Sequence, residues 1–309
     1  MNHRRPAKAA LQTLFGQNSI VLPKLGETSD KQIPDLRRLK EHYCLGRTIL
    51  FKKNYIVSRQ FSLSTSLDTI GPIALGVADC FVADQVLLGE GVPSRPRVAS
   101  PNTFRLIVAR GRLFHRCEPE VLNAFESTVE RLRSYGLQID DGSIEAALDN
   151  VAGIDKIGTF PSIKVGATLR SLGISTLDGV DPKTRVRIEA GASILAVDYV
   201  RMARLRHAAI RSFEQSFTEN EVFILPTTPI RAPFLSSVEE DSAFHEFNGL
   251  VLRNPRVANM LDCPSISLPL SLDGLSAGLM LIGRRNADRR LLEIASSVET
   301  LLRGYSHAV

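Results

Sequence analysis

Two regimes of apolar and polar spacing divide this chain near residue 60. Before that point no period is sustained: "QTLFGQNSIVLPKLGETSDKQIPDLRRLKEHY" changes character every few residues. Within it only "IPDLRRLKEHY", with Pro34 near its first turn, predicts a short helix, and the following "RTILF" predicts a strand. From Phe61 onward the pattern sharpens. In "GPIALGVADCFVADQVLLGE" Ile73, Val77 and Phe81 fall four apart, as do Ala74, Ala78 and Val82, which predicts a helix with a wide buried face. "FRLIVARG" (104–111) predicts a short buried strand. "EPEVLNAFESTVERLRSYG" (118–136) predicts a helix burying Val121, Phe125, Thr128 and Leu132, with acids in its first turn, Arg131 and Arg133 near its end, and Gly136 as its stop. "LQIDD" then predicts a strand.

Residues 181–217 predict a long helix begun by Asp181 and Pro182, with Gly191 marking a break or a close approach. "VFILPTTP" (222–229) reads as a buried strand ending in a proline turn. "PSISLPL" and "AGLMLIG" (277–283) are two more strands separated by the turn-rich "SLDG". "DRRLLEIASSVETLLRG" (288–304) predicts a last helix, with Asn286 or Asp288 as its N-cap and Gly304 past its end. Strands spaced among helices imply a layered α/β domain with its sheet buried on both faces. The continuous apolar runs "VFILPT", "SISLP" and "AGLMLIG" are expected at its centre.

Composition adds limits. At 309 residues, 44% hydrophobic and 23% charged, the chain is ordinary globular material, and with no Trp its core must be largely aliphatic. No apolar run approaches a membrane span, and no apolar signal core follows Arg4, Arg5 and Lys8, so a cytoplasmic protein is expected, without a membrane partner. Cys44, Cys80, Cys117 and Cys263 share no CxxC spacing, so scattered reduced thiols are expected rather than zinc or disulfides. The six histidines form no metal-binding pair; neither metal nor cofactor is expected. Residues 1–60 hold twelve Lys and Arg against four Asp and Glu, whereas the remainder is slightly acidic. This basic segment lacks recognition-helix and aromatic-basic patterns, so it reads as a poorly ordered, solvated arm and no nucleic-acid partner is expected.

Two local patterns carry less than they promise. Gly274-Leu275-Ser276-Ala277-Gly278 matches a nucleophile elbow, but a strand-like run follows the serine where a helix is needed, so Ser276 reads as a turn residue. The acids Asp140 and Asp141 precede Gly142 and read as a turn.

Four longer phrases do more. Ser62-Leu63-Ser64-Thr65-Ser66-Leu67-Asp68-Thr69-Ile70-Gly71-Pro72-Ile73-Ala74, followed by Asp79 in a helix, resembles the phrase just downstream of the catalytic loop in the amidase signature family. "DPKTRVRIEAGASILAVDYVRMARLR" resembles that family's long helix ending in Tyr-x-x-Ala/Met-x-x-x-Arg, and "VFILPTTPIRAP" its buried strand and Pro-Thr turn. "NPRVANMLDCPSISLPLSLDGLSAGLMLIG" resembles its C-terminal phrase, with Asn259, Pro264 and Ser267 in the matching places. The likeness runs over about residues 57–304, in the family's order.

The resemblance implies an amide hydrolase in which one serine attacks the carbonyl, a second serine passes protons to a neutral lysine, and backbone N–H groups of a glycine-rich loop hold the oxyanion. It also implies that Ser66, Asp68, Asn259, Pro264 and Ser267 belong to the substrate pocket or to its structural frame. The Gly-Gly-Ser-Ser-Gly-Gly loop is not found: the sequence contains no Gly-Gly pair, and Ser236-Ser237 and Ser296-Ser297 have no glycine neighbours. Lys52 and Lys53 stand in for the catalytic lysine on one alignment; on the other, favoured by Ser58-Arg59-Gln60, they fall in the stretch leading into the Ser-Leu-Asp phrase and are not catalytic.

The resulting expectation is a basic segment, 1–60, before the C-terminal part of an amidase-signature domain, 61–309, a layered α/β/α fold with a mixed central sheet that is incomplete at its N-terminal side, and with no catalytic residue assignable. A chain of that kind would take a small-molecule amide only with the missing segment restored, and its uncovered sheet edge would favour self-association. A working hydrolase built on other residues such as Ser276, and a non-catalytic binding protein reusing the fold, are the alternatives.

Overall fold

The computed structural model describes residues 48–51, 64, 66–90, 94–218, 220–270 and 277–304. Among them the elements run β1 (Thr48–Phe51), β2 (Ile73–Ala74), α1 (Val77–Leu87), β3 (Arg105–Arg110), α2 (Pro119–Ser134), β4 (Ile139–Ser143), α3 (Glu145–Asp155), α4 (Phe160–Ser171), α5 (Pro182–Ala192), α6 (Ala196–Glu214), β5 (Glu221–Pro226), α7 (Asp241–Met260), β6 (Ser265–Leu270), β7 (Ala277–Ile282) and α8 (Asp288–Arg303). The strands form one sheet in the order β2-β1-β6-β7-β5-β3-β4. It is mixed: β3 runs parallel to both β4 and β5, and the remaining pairs are antiparallel.

Strand alternation assigns the two faces. Val222 and Ile224 of β5 join Leu106, Val108, Ile266, Leu268, Leu279 and Leu281 on one side, under α1, α2 and α8. Phe223 and Leu225 face the other way with Ile107, Ala109, Met280 and Ile282, under α3, α6 and α7. Two-sided burial explains why β5, β6 and β7 are continuous apolar runs, and these three strands occupy the middle of the sheet as expected. The fold is therefore a layered α/β/α arrangement. A small satellite core of Val165, Leu169 and Ile188 joins α4 to α5.

Several local expectations change in the structure. Ile73 and Ala74 pair with β1 instead of opening a helix, and α1 begins at Val77 after Gly76, which offers no side-chain cap. Glu299 of α8 supplies the missing acceptor, taking the Val77 N–H at 3.1 and 3.2 Å. Asp140 and Asp141 are not in a turn: both lie in the edge strand β4 and pair with Arg105 and Arg110 of β3, at 3.4 and 3.0 Å. Charges there blunt an otherwise open edge. Neither Asn286 nor Asp288 caps α8; its N-cap position is Ala287, which makes no side-chain cap bond. The segment 33–43 lies outside the described residues.

Gly191 marks both a break and a close approach. The long helix ends at Ala192 and restarts at Ala196, and a Cβ on Gly191 would overlap the Ser162 carbonyl of α4. Backbone cannot retreat as a side-chain tip can. Gly191→Ala is therefore expected to lower stability by about 1–3 kcal/mol through overpacking. Gly166→Ala in α4, where a Cβ meets nothing within 4 Å, should instead raise it by about 0.5–1 kcal/mol. Urea denaturation of the pair checks the opposite signs.

Candidate functional site

The Ser-Leu-Asp phrase folds into a closed turn. The Leu67 and Asp68 N–H groups both donate to the Ser64 carbonyl at 2.8 Å, and the Ser64 N–H donates back to the two Asp68 carboxylate oxygens at 2.9 and 3.0 Å. A short acidic side chain four residues on is well suited to this, since it satisfies backbone donors that neither helix nor strand uses. The Asp68 carboxylate thus works as a lock on the turn. Leu67 packs against the core on the α3–α6–α7 side of the sheet.

Two helices grip this turn. Asn259, in the last turn of α7, donates from Nδ2 to the Leu67 carbonyl at 2.6 Å. Lys164 of α4 donates from Nζ to Ser66 Oγ at 2.7 Å in a partly buried setting. Residues 192 positions apart in the chain therefore meet at one hydrogen bond. Arg206 of α6 in turn holds the end of α7. Its Nε donates to the Met260 carbonyl at 3.0 Å and one Nη to the Asn259 carbonyl at 3.2 Å, while Asp262 stands 3.8 Å away. Burial lowers the Arg206 pKa from its ordinary value; Asp262 opposes this and Arg285 adds to it.

Pro264 and Ser267 lie elsewhere, just before β6 and on it. Pro264 is buried, and its carbonyl accepts the Gly283 N–H at 3.0 Å, extending the β6–β7 ladder. Ser267 points to the same face as Met280 and meets Thr227 Oγ1 at 2.6 Å. A Cβ on Gly278 would overlap both hydroxyls, so glycine there is what lets the pair sit side by side. Thr227 is also tied through its N–H to the Gly278 carbonyl at 2.7 Å.

A third buried polar group gathers backbone. Asn254 of α7 is fully buried, and its Nδ2 donates to the carbonyls of Pro226, at 2.8 Å, and Leu113, at 3.3 Å. Its Oδ1 accepts from Arg253 Nε at 3.0 Å, and the Arg253 guanidinium also reaches the His115 carbonyl at 2.6 Å. Asn254, Arg253 and Lys164 were not singled out in the sequence. The Asn-Pro dipeptide at 254–255 is a weak signal for the first, and none exists for the lysine, whose partner is 98 residues away.

Chemically, the Ser66–Lys164 and Ser267–Thr227 contacts include no histidine or carboxylate. Cys80 and Cys263 make poor nucleophiles, since burial pushes both thiols up to about 12, with Asp79 and Asp262 respectively adding to it. Ser276, Lys52 and Lys53 lie outside the described residues, while Ala277 directly after Ser276 starts strand β7 and not a helix. Among the described residues no group of three or more His, Cys, Asp or Glu is placed to hold a metal ion.

A family model described as Amidase matches residues 54–292. The 2-amino-5-chloromuconic acid deaminase of Comamonas testosteroni is 26% identical over 80% of this chain and 54% of its own length. Two fatty acid amide hydrolases, those of Medicago truncatula and Oryza sativa subsp. indica, are each 26% identical, over 77% and 76% of this chain and 42% of their own length. The chain thus spans about half the length of these curated relatives. Among solved structures, an amidase superposes with a TM-score of 0.68 at 22% identity, covering 82% of this chain and 58% of that one. A 6-aminohexanoate cyclic dimer hydrolase does so with a TM-score of 0.68 at 19% identity, covering 84% and 61%. At those identities the structures speak for the fold alone.

Proposed function

This chain belongs to the amidase family, and from that premise we propose that its chemistry is that of a carbon–nitrogen bond hydrolase whose nucleophile segment its own sequence does not supply. The observation that carries the reading is the family match across 54–292 in a sequence without a single Gly-Gly pair. What the chain supplies is the frame: a locked Ser-Leu-Asp turn gripped by Asn259 and Lys164, and the Thr227–Ser267 pair beside Gly278. On this reading Ser66, Asp68, Asn259, Pro264 and Ser267 frame the pocket for a small amide, residues 61–309 form the amidase part, and 1–60 are a basic arm. The chain acts in the cytoplasm, and self-association would run through a sheet edge left open on the N-terminal side; no helix among the described residues is long and apolar enough to cross a membrane.

Purified chain is expected to release ammonia or arylamine from simple aliphatic and aryl amides no faster than buffer does. A second reading, hydrolysis by residues outside the family's catalytic set, is favoured by the Ser66–Lys164 contact, because a lysine that gives up its own proton can then take that of the serine hydroxyl beside it. Turnover that disappears in Ser66→Ala or Ser276→Ala would establish that second reading and overturn the first. Release at background in all three proteins sustains the first. A non-catalytic binding role for the frame is the remaining alternative, and it would show as amide binding without turnover.

A further inference from the structure

A cavity of about 420 Å³ opens between α6, the turn after α7 and the connection from β7 to α8. Its wall carries Arg206, His207, Arg211, Glu214, Asp262 and Arg285, with one aliphatic side chain, Ile210, among them. The volume suits a small molecule, but a wall this polar does not suit an apolar one. Three guanidinium groups face two carboxylates, so positive charge is in excess. Asp262 is already shared, standing 3.0 Å from Arg285 and 3.8 Å from Arg206, and Glu214 is 4.0 Å from Arg285. Arg211 has no ion-pair partner among the described residues, and it follows the exposed His207 by one helical turn.

The decisive group is Arg206. Its side chain is only 10% exposed, and two of its nitrogens are spent on the Met260 and Asn259 carbonyls. The third, Nη1, makes no hydrogen bond to any described residue, although the side chain lines the cavity. A buried guanidinium held rigid by backbone carbonyls, with donors left over, is a preorganised half-site for an oxyanion. Burial lowers its pKa because the charged form loses water there, and the like charge of Arg285 adds to this while Asp262 opposes it. We propose that this cavity binds a small, hydrophilic oxyanion, a carboxylate or a phosphate, on Arg206, Arg285 and Arg211. Bound there, the anion would stiffen the guanidinium that carries Asn259, and through Asn259 the Ser-Leu-Asp turn.

The test is calorimetric titration of the full chain at low ionic strength with inorganic phosphate and, separately, with succinate. Thermal unfolding is followed in parallel, because a ligand of the folded state raises the melting temperature. One saturable site for either anion is expected, weakened about tenfold by Arg285→Gln and by Arg211→Ala. Arg170→Ala removes an exposed arginine at the end of α4 and should leave affinity unchanged. Whichever anion binds more tightly identifies the source. Arg211 is exposed, so its variant tests the idea even where Arg285→Gln impairs folding. No saturation by either anion up to about 10 mM in chain shown to be folded by circular dichroism overturns the proposal. Equal weakening by Arg170→Ala also overturns it, since that is the signature of non-specific charge.

Discussion

Phe223→Ala is expected to lower the free energy of unfolding by about 3–5 kcal/mol. Phe223 sits on β5, near the middle of the sheet, and is 2% exposed. Its ring lies 5.4 Å from that of Phe213 and 5.1 Å from that of Phe217, and those two are 4.7 Å apart edge to face. Three rings that support one another cannot close over a missing member without each leaving its own preferred contact, so most of the cavity persists. A domain's net stability is only about 5–15 kcal/mol, so this one truncation removes a large part of it. Phe234→Ala is the contrast: that ring is 84% exposed, and its loss should stay within about 0.5 kcal/mol. Urea denaturation read by circular dichroism compares the two, and a Phe223→Ala loss below about 1 kcal/mol would mean that the aromatic cluster is not a cooperative part of the core.

Asn254→Leu is the second large effect, expected at about 2–3 kcal/mol although leucine keeps the same branched skeleton. The amide joins α7 to two separate pieces of chain, through the Pro226 carbonyl at the end of β5 and the Leu113 carbonyl in the short helical turn after β3, and it accepts from the guanidinium of the neighbouring Arg253. Leucine fills the space and leaves the Pro226 carbonyl without that donor in a site with no access to water. The Leu113 carbonyl keeps the Arg253 guanidinium as a donor, which limits the cost. Hydrogen exchange separates this mechanism from simple loss of packing. Amides of residues 111–117 and 227–230 should exchange faster while those of α8, on the far side of the sheet, lag behind. Uniform acceleration would instead point to global destabilisation without a local role for the amide.

Much of the fold was legible because burial on two faces writes itself into composition. The runs Val222–Leu225, Ile266–Leu268 and Leu279–Ile282 read as strands and stand at the sheet centre. α2 was equally plain, since Val121, Phe125, Thr128 and Leu132 recur at helical spacing and all four are buried. The same signal was present and unread in α3, where Ala147, Leu148, Val151 and Ile154 form the inner face, and in α4, where Thr159 accepts the Ser162 N–H ahead of Pro161. In α7 a proline at 255 obscured a helix of 20 residues. Ile73 misled in the other direction, because four-residue spacing with Val77 is indifferent to whether the first member has already paired with a neighbouring strand.

The candidate site divides along similar lines. Residue type and order along the chain marked Ser66, Asp68, Asn259, Pro264 and Ser267, and the closed turn at 64–68 follows from local chemistry, since Asp68 reaches a backbone N–H only four residues away. The sequence by itself also determined the layered architecture, the central strands and the family, because each depends on short-range patterns of apolar surface and on motif order. Which groups meet across the layers was settled only by the tertiary structure. Lys164 touches Ser66, Asn259 clasps the turn while Arg206 holds Asn259, Glu299 caps a helix 222 residues away, and Arg206 is left with donors facing a cavity. Each of these contacts spans elements distant in the chain. They form because a buried donor or acceptor must find a partner wherever packing of the apolar faces happens to bring one, and no periodicity along the chain encodes that distance.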